Sequence, residues 1–164
     1  MSTTTAPTFT DRFPEELVSS TLFLLKRLGM TAKEKSLAGF DEAGLHPYHH
    51  AILAVLDEGE RETQATIADA LAVDRSMLVG LLDQLEERGM VERRRDPNDR
   101  RRQMVKLTAA GRRQLTEFRK MVEELENDFL AALDEEERRT LHDLLLRVAA
   151  HRDVRFAPAQ TAVS

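Results

Sequence analysis

The feature that most restricts the fold of this chain is a change of hydrophobic period at Gly89. Before it, leucines recur at helical spacing, and Asp74 stands where a helix N-cap is expected. After it, apolar and charged residues alternate on both sides of the turn sequence at 96–99. Glycine at such a boundary is typical of a left-handed helix end. The pattern predicts a helix over 74–88 that is followed directly by a two-stranded hairpin.

A shorter helix is predicted just before this one, over 63–71, with Thr63 as its cap and Ile67 on its inner face. Only Ala72 and Val73 separate the two helices. Two helices joined by a short turn and followed by a hairpin are typical of a winged helix-turn-helix, whose second helix enters the major groove of DNA. With a buried helix over 46–57, we expect this DNA-binding lobe to span residues 46–108.

The second helix of the motif, called the recognition helix below, has two faces. The leucines at 78, 81, 82 and 85 are expected to be buried. Gly80 costs about 0.8–1 kcal/mol relative to alanine inside a helix, and either close approach to DNA or neutral drift would explain it. We predict that the face opposite the leucines contacts DNA through Arg75, Ser76, Met77, Val79 and Gly80.

Six arginines flank the turn of the hairpin, which is called the wing below. A charge run is usually a solvated surface, but guanidinium groups on a protruding hairpin also suit a narrow minor groove. Asp96 and Asp99 are expected to pair with neighbouring arginines and to fix the shape of the turn. The predicted DNA contacts of the wing are Arg93, Arg95, Asp99, Arg100, Arg101 and Arg102.

The charge distribution agrees with a local anionic partner. The whole chain has a net charge of −5, but residues 88–113 carry a net +7, which leaves −12 for the rest. The chain has no cysteine, so disulfides and thiolate metal sites are excluded. No phosphate loop, nucleophile elbow or zinc-protease motif is present, and no apolar run is long enough for a membrane span. We expect a cytoplasmic protein that is not an enzyme, needs no cofactor and has no membrane partner.

Long helices are predicted near both ends of the chain: one over 14–38, followed by a break at 39–44, one over 108–133, and one that begins after Asp134 with Glu137 as capping-box partner. Gly29 is a possible weak point of the first. We expect residues 14–45 and 109–153 to form a helical dimerisation region, with flexible tails at 1–13 and 154–164. A monomeric bundle is the alternative. The apolar surplus that suggests a dimer is Leu22, Phe23, Phe118, Phe129, Leu130 and Leu133.

Three segments together resemble the MarR family of bacterial transcription regulators: residues 81–93, LLDQLEERGMVER; residues 96–101, DPNDRR; and residues 105–111, VKLTAAG. The resemblance extends over about residues 14–151. It implies a mainly α fold with a hairpin wing and a homodimer formed by the terminal helices. It also implies that the dimer binds a palindromic operator, usually to repress transcription, and that a small molecule releases the protein from this DNA. It also implies that Asp99 orients Arg101 into the minor groove.

A sensor site stays open at the sequence level. The resemblance suggests a ligand pocket between the dimerisation helices and the DNA-binding lobe, and four polar rings fall within 46–50. His46, Tyr48 and His49 could bind an aromatic carboxylate or phenol, with charge supplied by Arg27 or Lys26. His46 and His50, one helical turn apart, could instead share a metal if an acidic residue completed the site. Local capping or packing is the third possibility.

Two alternative functions follow from these choices. One is a metal-responsive regulator of the same fold. The other is a non-enzymatic helical interaction protein that binds DNA without sequence preference.

Overall fold

The computed structural model describes residues 12–59 and 63–157. Within these ranges the protein is mainly helical, and its two strands form one antiparallel sheet. The predicted fold class, a winged helix-turn-helix with long terminal helices, is confirmed. The elements are α1 (Glu15–Val18), α2 (Thr21–Glu42), α3 (Pro47–Glu58), α4 (Gln64–Leu71), α5 (Arg75–Glu87), β1 (Val91–Arg95), β2 (Gln103–Leu107), α6 (Ala109–Phe129), α7 (Glu135–Arg152) and a 3-10 turn (Val154–Phe156).

The first predicted helix differs from the structure at both ends. The chain breaks after α1, because Ser20 is extended and its hydroxyl accepts the backbone N–H of Phe23 at 3.3 Å, which starts α2. The predicted break at 39–44 begins later in the structure, after Glu42, since α2 continues through Gly39 and buries Phe40. The helix passes Gly29 without interruption, and the turn is made at Gly44, with φ +63°. Burial of one aromatic ring outweighed the weak helix propensity of a glycine.

The helix-turn-helix follows the predicted local rules. Thr63 and Thr66 form a reciprocal capping box at the start of α4. Ala72 takes a left-handed conformation, with φ 52°, which is uncommon for a residue with a β-carbon and makes the short turn into α5. Asp74 caps α5, and Gly89 has φ +67° just after its last residue, as predicted.

The wing pairs Val91 with Leu107 and Arg95 with Gln103 at its two ends. An isolated bridge between Thr63 and Met104 ties it to the start of α4. Val91 sits in the core, so one face of the hairpin packs on the helices. A two-stranded hairpin is marginal alone, and this packing supports it.

The core lies beneath the recognition helix, which is α5. The four leucines predicted to be buried have exposed fractions between 0% and 7%. They pack in one cluster with apolar side chains of the neighbouring elements, among them Ile52, Leu53, Ile67, Val105, Leu115 and Phe118. Burial of each such side chain contributes about 1.5–3 kcal/mol, which fixes the orientation of α5.

The start of α6 is held against the end of the recognition helix. The hydroxyl of Thr108 donates to the carbonyl oxygen of Gly89 at 2.6 Å and accepts the N–H of Gly111 at 3.0 Å. α6 ends at Phe129, four residues before the predicted limit, because residues 130–133 form a turn. Asp134 and Glu137 form the predicted capping box of α7.

The chain divides into two compact units between Val122 and Glu123. This division does not test the predicted limits of the DNA-binding and dimerisation regions, which stay predictions. Of the two predicted flexible tails, residues 1–11 and 158–164 lie outside the described residues, while Val154–Phe156 form an ordered 3-10 turn capped by Asp153. No helix within 12–59 or 63–157 is long and apolar enough to cross a membrane.

Candidate DNA-binding surface

The exposed face of α5 carries the predicted base-reading residues. Arg75, Ser76, Met77, Val79 and Gly80 all lie on the surface, opposite the buried leucines. A β-carbon added at Gly80 would have no atom within 4 Å, so this part of the helix faces open space. The position therefore allows close approach of another molecule to the backbone of the recognition helix.

The first turn of α5 is fixed by one carboxylate. Asp74 accepts the hydroxyl of Ser76 at 2.5 Å and the backbone N–H of Met77 at 2.9 Å. These two hydrogen bonds, that of Ser76 first, lower the pKa of Asp74 below its usual value. The Ser76 hydroxyl is thus engaged within the protein.

A cleft of about 460 Å³ joins the recognition helix to the wing. One wall is the exposed face of α5, the other is the base of the turn in the wing, and the start of α4 forms the floor. Two of the predicted wing arginines and one arginine of the recognition helix meet there. Its lining includes Thr63, Gln64, Arg75, Val79, Arg101 and Arg102. The α4 residues were not among the predicted contacts, although the capping pattern at Thr63 marked a helix start with free backbone donors.

Asp99 shapes the tip of the wing. Its carboxylate accepts the backbone N–H of Arg101 at 3.0 Å and lies 3.5 Å from the Nε atoms of both Arg101 and Arg102. The predicted pairing of Asp99 with neighbouring arginines is confirmed. Asp96 instead accepts the backbone N–H of Asn98 at 2.8 Å, which stabilises the turn itself. The side chain of Arg101 is 95% exposed, so its guanidinium is presented to solvent.

The predicted wing contacts fall into two groups. Arg95 and Arg100 are exposed, as are the two arginines beside Asp99. Arg93 is different, because its side chain is only 22% exposed and is paired with carboxylates of α5. Arg93 was predicted to contact DNA like its neighbours, although strand alternation with the apolar Val91 placed it on the inner face of the wing.

The histidines at the start of α3 are used inside the fold. Nδ1 of His46 accepts the backbone N–H of Tyr48 at 3.2 Å, and Nδ1 of His49 accepts that of His46 at 3.1 Å. The ring of His46 stacks on that of Tyr48, with centroids 5.6 Å apart, and His49 is 1% exposed. The structure thus gives His46 and His49 the local capping and packing roles that the sequence left open.

Arg27 lies apart from these contacts, with its guanidinium 5.4 Å from the ring centroid of Phe13. His50 packs against Phe40 and Phe118. Within the described ranges, no three histidine or acidic side chains are grouped as a metal site would require. The structure therefore gives the metal alternative no support.

His49 is expected to make folding sensitive to acid. Burial, the nearby His46 and the cation of Arg88 lower its pKa from 6.5 to about 4, partly offset by the side chain of Gln84. Between those two values the unfolded chain binds a proton that the folded protein does not, so stability is full above pH 6.5 and falls as the pH drops. For this residue alone, the free energy of unfolding should be about 2 kcal/mol lower at pH 5 than at pH 7.

Urea denaturation at the two pH values measures this loss. The matched variant is His49→Gln, because glutamine does not titrate and still suits the third position of a capping box. Its pH dependence should be shallower than that of the wild-type protein. If the free energy of unfolding changes equally with pH in the two proteins, His49 is not the acid-sensitive group.

Comparison with known proteins bears on the family and the fold of the chain. The profile of the MarR family matches residues 45–102. A probable transcriptional regulator from Pseudomonas aeruginosa, of known crystal structure, is 31% identical; the match covers 80% of this chain and 98% of that one, with a TM-score of 0.67. The apo form of MarR from E. coli is 25% identical, with 79% and 96% covered and a TM-score of 0.69.

A curated relative gives the same result over a shorter range. The putative transcriptional regulatory protein for the hcr operon of Thauera aromatica is 36% identical over 105 residues, which is 64% of this chain. The match spans 63% of that relative, less than two thirds of its length. The relatives named here are transcriptional regulators.

A recognition helix and an arginine-bearing wing around one cleft define a winged helix-turn-helix DNA-binding regulator. The chain belongs to the MarR family of transcriptional regulators, which confirms the resemblance seen in its sequence.

Proposed function

We propose that this protein binds a palindromic DNA operator as a homodimer, represses transcription there, and is released by a small aromatic ligand. The observation that carries the proposal is the cleft in which Arg75 of the recognition helix and Arg101 and Arg102 of the wing line one surface. The same protein unit thus offers groups for the major groove and groups for the minor groove of one DNA segment.

We assign the contacts by their position on this surface. The exposed residues of α5, namely Arg75, Ser76, Met77, Val79 and Gly80, would read base edges. Arg95, Arg100, Arg101 and Arg102 would contact phosphates or enter the minor groove, with Asp99 orienting Arg101. Base contacts provide sequence specificity and phosphate contacts provide affinity and register.

The homodimer is proposed from two apolar helix faces. In the first unit, α2 exposes large apolar side chains, with Leu22 77% and Leu28 53% exposed. In the second unit, α7 does the same, with Leu144 50% and Val148 56% exposed. Large apolar side chains exposed on one helix suggest an interaction site. A second copy of the chain would cover it, and a twofold dimer would place two recognition helices about 34–36 Å apart, one turn of B-DNA.

The surface that would bind the releasing ligand lies at the start of α3. The half-buried ring of Tyr48, parallel to that of His46, offers a surface on which a planar aromatic carboxylate or phenol could stack. Of the four residues predicted to bind a ligand, His49 and Arg27 contribute nothing to this surface, since one is buried and the other lies over Phe13.

The first experiment is a selection of bound genomic fragments with the purified protein at two salt concentrations. A palindrome with half-sites one turn apart, bound more weakly at the higher salt, is the expected result. Anisotropy of the selected duplex, titrated with benzoate and hydroxybenzoates, then measures release. Weak binding without sequence preference would instead favour a helical interaction protein, and unchanged anisotropy would remove aromatic release from the proposal.

A further inference from the structure

We propose that Arg93 is a positioning residue that fastens the wing to the recognition helix and does not itself contact DNA. The inference rests on the proposed operator binding. Nη2 of Arg93 lies 2.6 Å from Oδ1 of Asp83 and 2.5 Å from Oε2 of Glu86, and Nε donates to the same Glu86 oxygen at 2.9 Å. The backbone N–H of Arg93 donates to the other Glu86 oxygen at 3.1 Å. These contacts are called the Arg93 clamp.

In the clamp, the Nε and Nη2 atoms of Arg93 both face carboxylates of α5. Two carboxylates of α5 and one residue of β1 form a single ionic cluster, and the hydrogen bond from Arg93 lowers the pKa of Glu86. The side chain of Arg93 is 22% exposed, against 95% for Arg101. To contact DNA, Arg93 would have to leave both partners, whereas Arg101 is already presented outward.

The position of the clamp explains what it does. Glu86 lies on the recognition helix, and the turn that carries Arg101 begins directly after β1. The clamp therefore sets the angle between the helix that would enter one groove and the hairpin that would enter another. It also neutralises charge, because Asp83 and Glu86 have side chains 50% and 38% exposed on a helix proposed to face phosphates.

The variant Glu86→Gln separates this role from a direct DNA contact, because the two roles predict opposite changes in the affinity for DNA. If Arg93 bound DNA, removing the negative charge of Glu86 would free the arginine and tighten binding. If Arg93 holds the wing, the same change weakens the clamp and lowers the affinity for DNA by about fivefold, as expected for disruption of a coupled network. The probe is a duplex of roughly 30 base pairs, long enough for two half-sites one turn apart, that the wild-type protein selects from a random library.

Two further variants complete the test. Glu87→Gln removes the neighbouring charge, whose carboxylate is exposed and outside the clamp, and it should bind DNA as tightly as the wild type or more tightly. In an Arg93→Met background the clamp is already lost, so Glu86→Gln should there tighten binding by removing a bare carboxylate. A loss of stability alone would not make Glu86→Gln weaken DNA binding in one background and tighten it in the other. Circular dichroism at the assay temperature verifies that each variant is folded.

The outcomes are distinct. Weaker binding by Glu86→Gln in the wild-type background and tighter binding in the Arg93→Met background supports the clamp. Tighter binding in both backgrounds overturns it and makes Arg93 a DNA contact, while the proposed function stands. If the wild-type protein selects no duplex at all, the proposed operator binding fails, and the role of the clamp in it fails with it.

Discussion

Replacing Arg101 with alanine is expected to weaken operator binding at least about tenfold, the equivalent of one or two charge-assisted hydrogen bonds to phosphate or base oxygens. The guanidinium is 95% exposed at the tip of the wing, and Asp99 holds it from one side only, through Nε at 3.5 Å. Its remaining donors point into solvent, where a DNA groove would be. Each lost phosphate contact should also lower the slope of log affinity against log salt by about one.

The measurement is a gel shift of the selected duplex at several salt concentrations. Arg139→Ala is the matched control, since it removes the same charge from an exposed site on α7, in the other compact unit. It should change neither the affinity nor the salt slope appreciably. Unchanged affinity in Arg101→Ala would show that the wing does not bind DNA, whatever the recognition helix does. Stability should not differ, because Arg101 makes no buried contact.

The DNA-binding lobe was predictable because its signals are local and mutually consistent. The leucine spacing of α5, the caps Thr63 and Asp74, and the glycine stop at 89 each depend on a few neighbouring residues. The division between α1 and α2 was not, because a serine becomes a cap only when the chain on either side is already placed. For the same reason Gly39 suggested a break that the burial of Phe40 removes.

In the candidate site, side-chain pairs that are close in sequence were also easier to predict than pairs that depend on packing. That Asp99 would pair with Arg101 was visible, since the two are close in sequence within a tight turn. Strand alternation places Arg93 on the inner face of the wing, but its pairing with Glu86 depends on how the hairpin packs against α5. The histidines at 46 and 49 were equally ambiguous, because the residue type that caps a helix is also the one that binds ligands and metals.

Gly111 illustrates a constraint that only the packed structure explains. It opens α6 and is buried against the backbone that follows α5. A β-carbon placed on it would lie 2.1 Å from the carbonyl oxygen of Met90 and 2.7 Å from Cδ1 of Leu107. The leucine could move, but the carbonyl is held in place because it accepts the backbone N–H of Thr108 at 3.1 Å. The family-like segment at 105–111 therefore needs glycine at its end for close packing.

Gly111→Ala is accordingly expected to lower the free energy of unfolding by about 3 kcal/mol, the upper part of the usual range for overpacking. Gly80→Ala is the matched control, because its added methyl group meets no atom within 4 Å and φ is not left-handed. It should raise the free energy of unfolding by about 0.8–1 kcal/mol through helix propensity. Urea denaturation of the two variants at pH 7 measures both changes.

The pair of glycine variants also tests the DNA surface. If the backbone at Gly80 lies against DNA, Gly80→Ala gains stability but loses operator affinity, since the methyl group fills the space that the DNA would occupy. If its affinity is unchanged, the glycine reflects drift and not close approach. A Gly111→Ala protein as stable as the wild type would mean that α6 shifts away from Met90 at little cost, and that this contact does not hold the start of α6 against the end of the recognition helix.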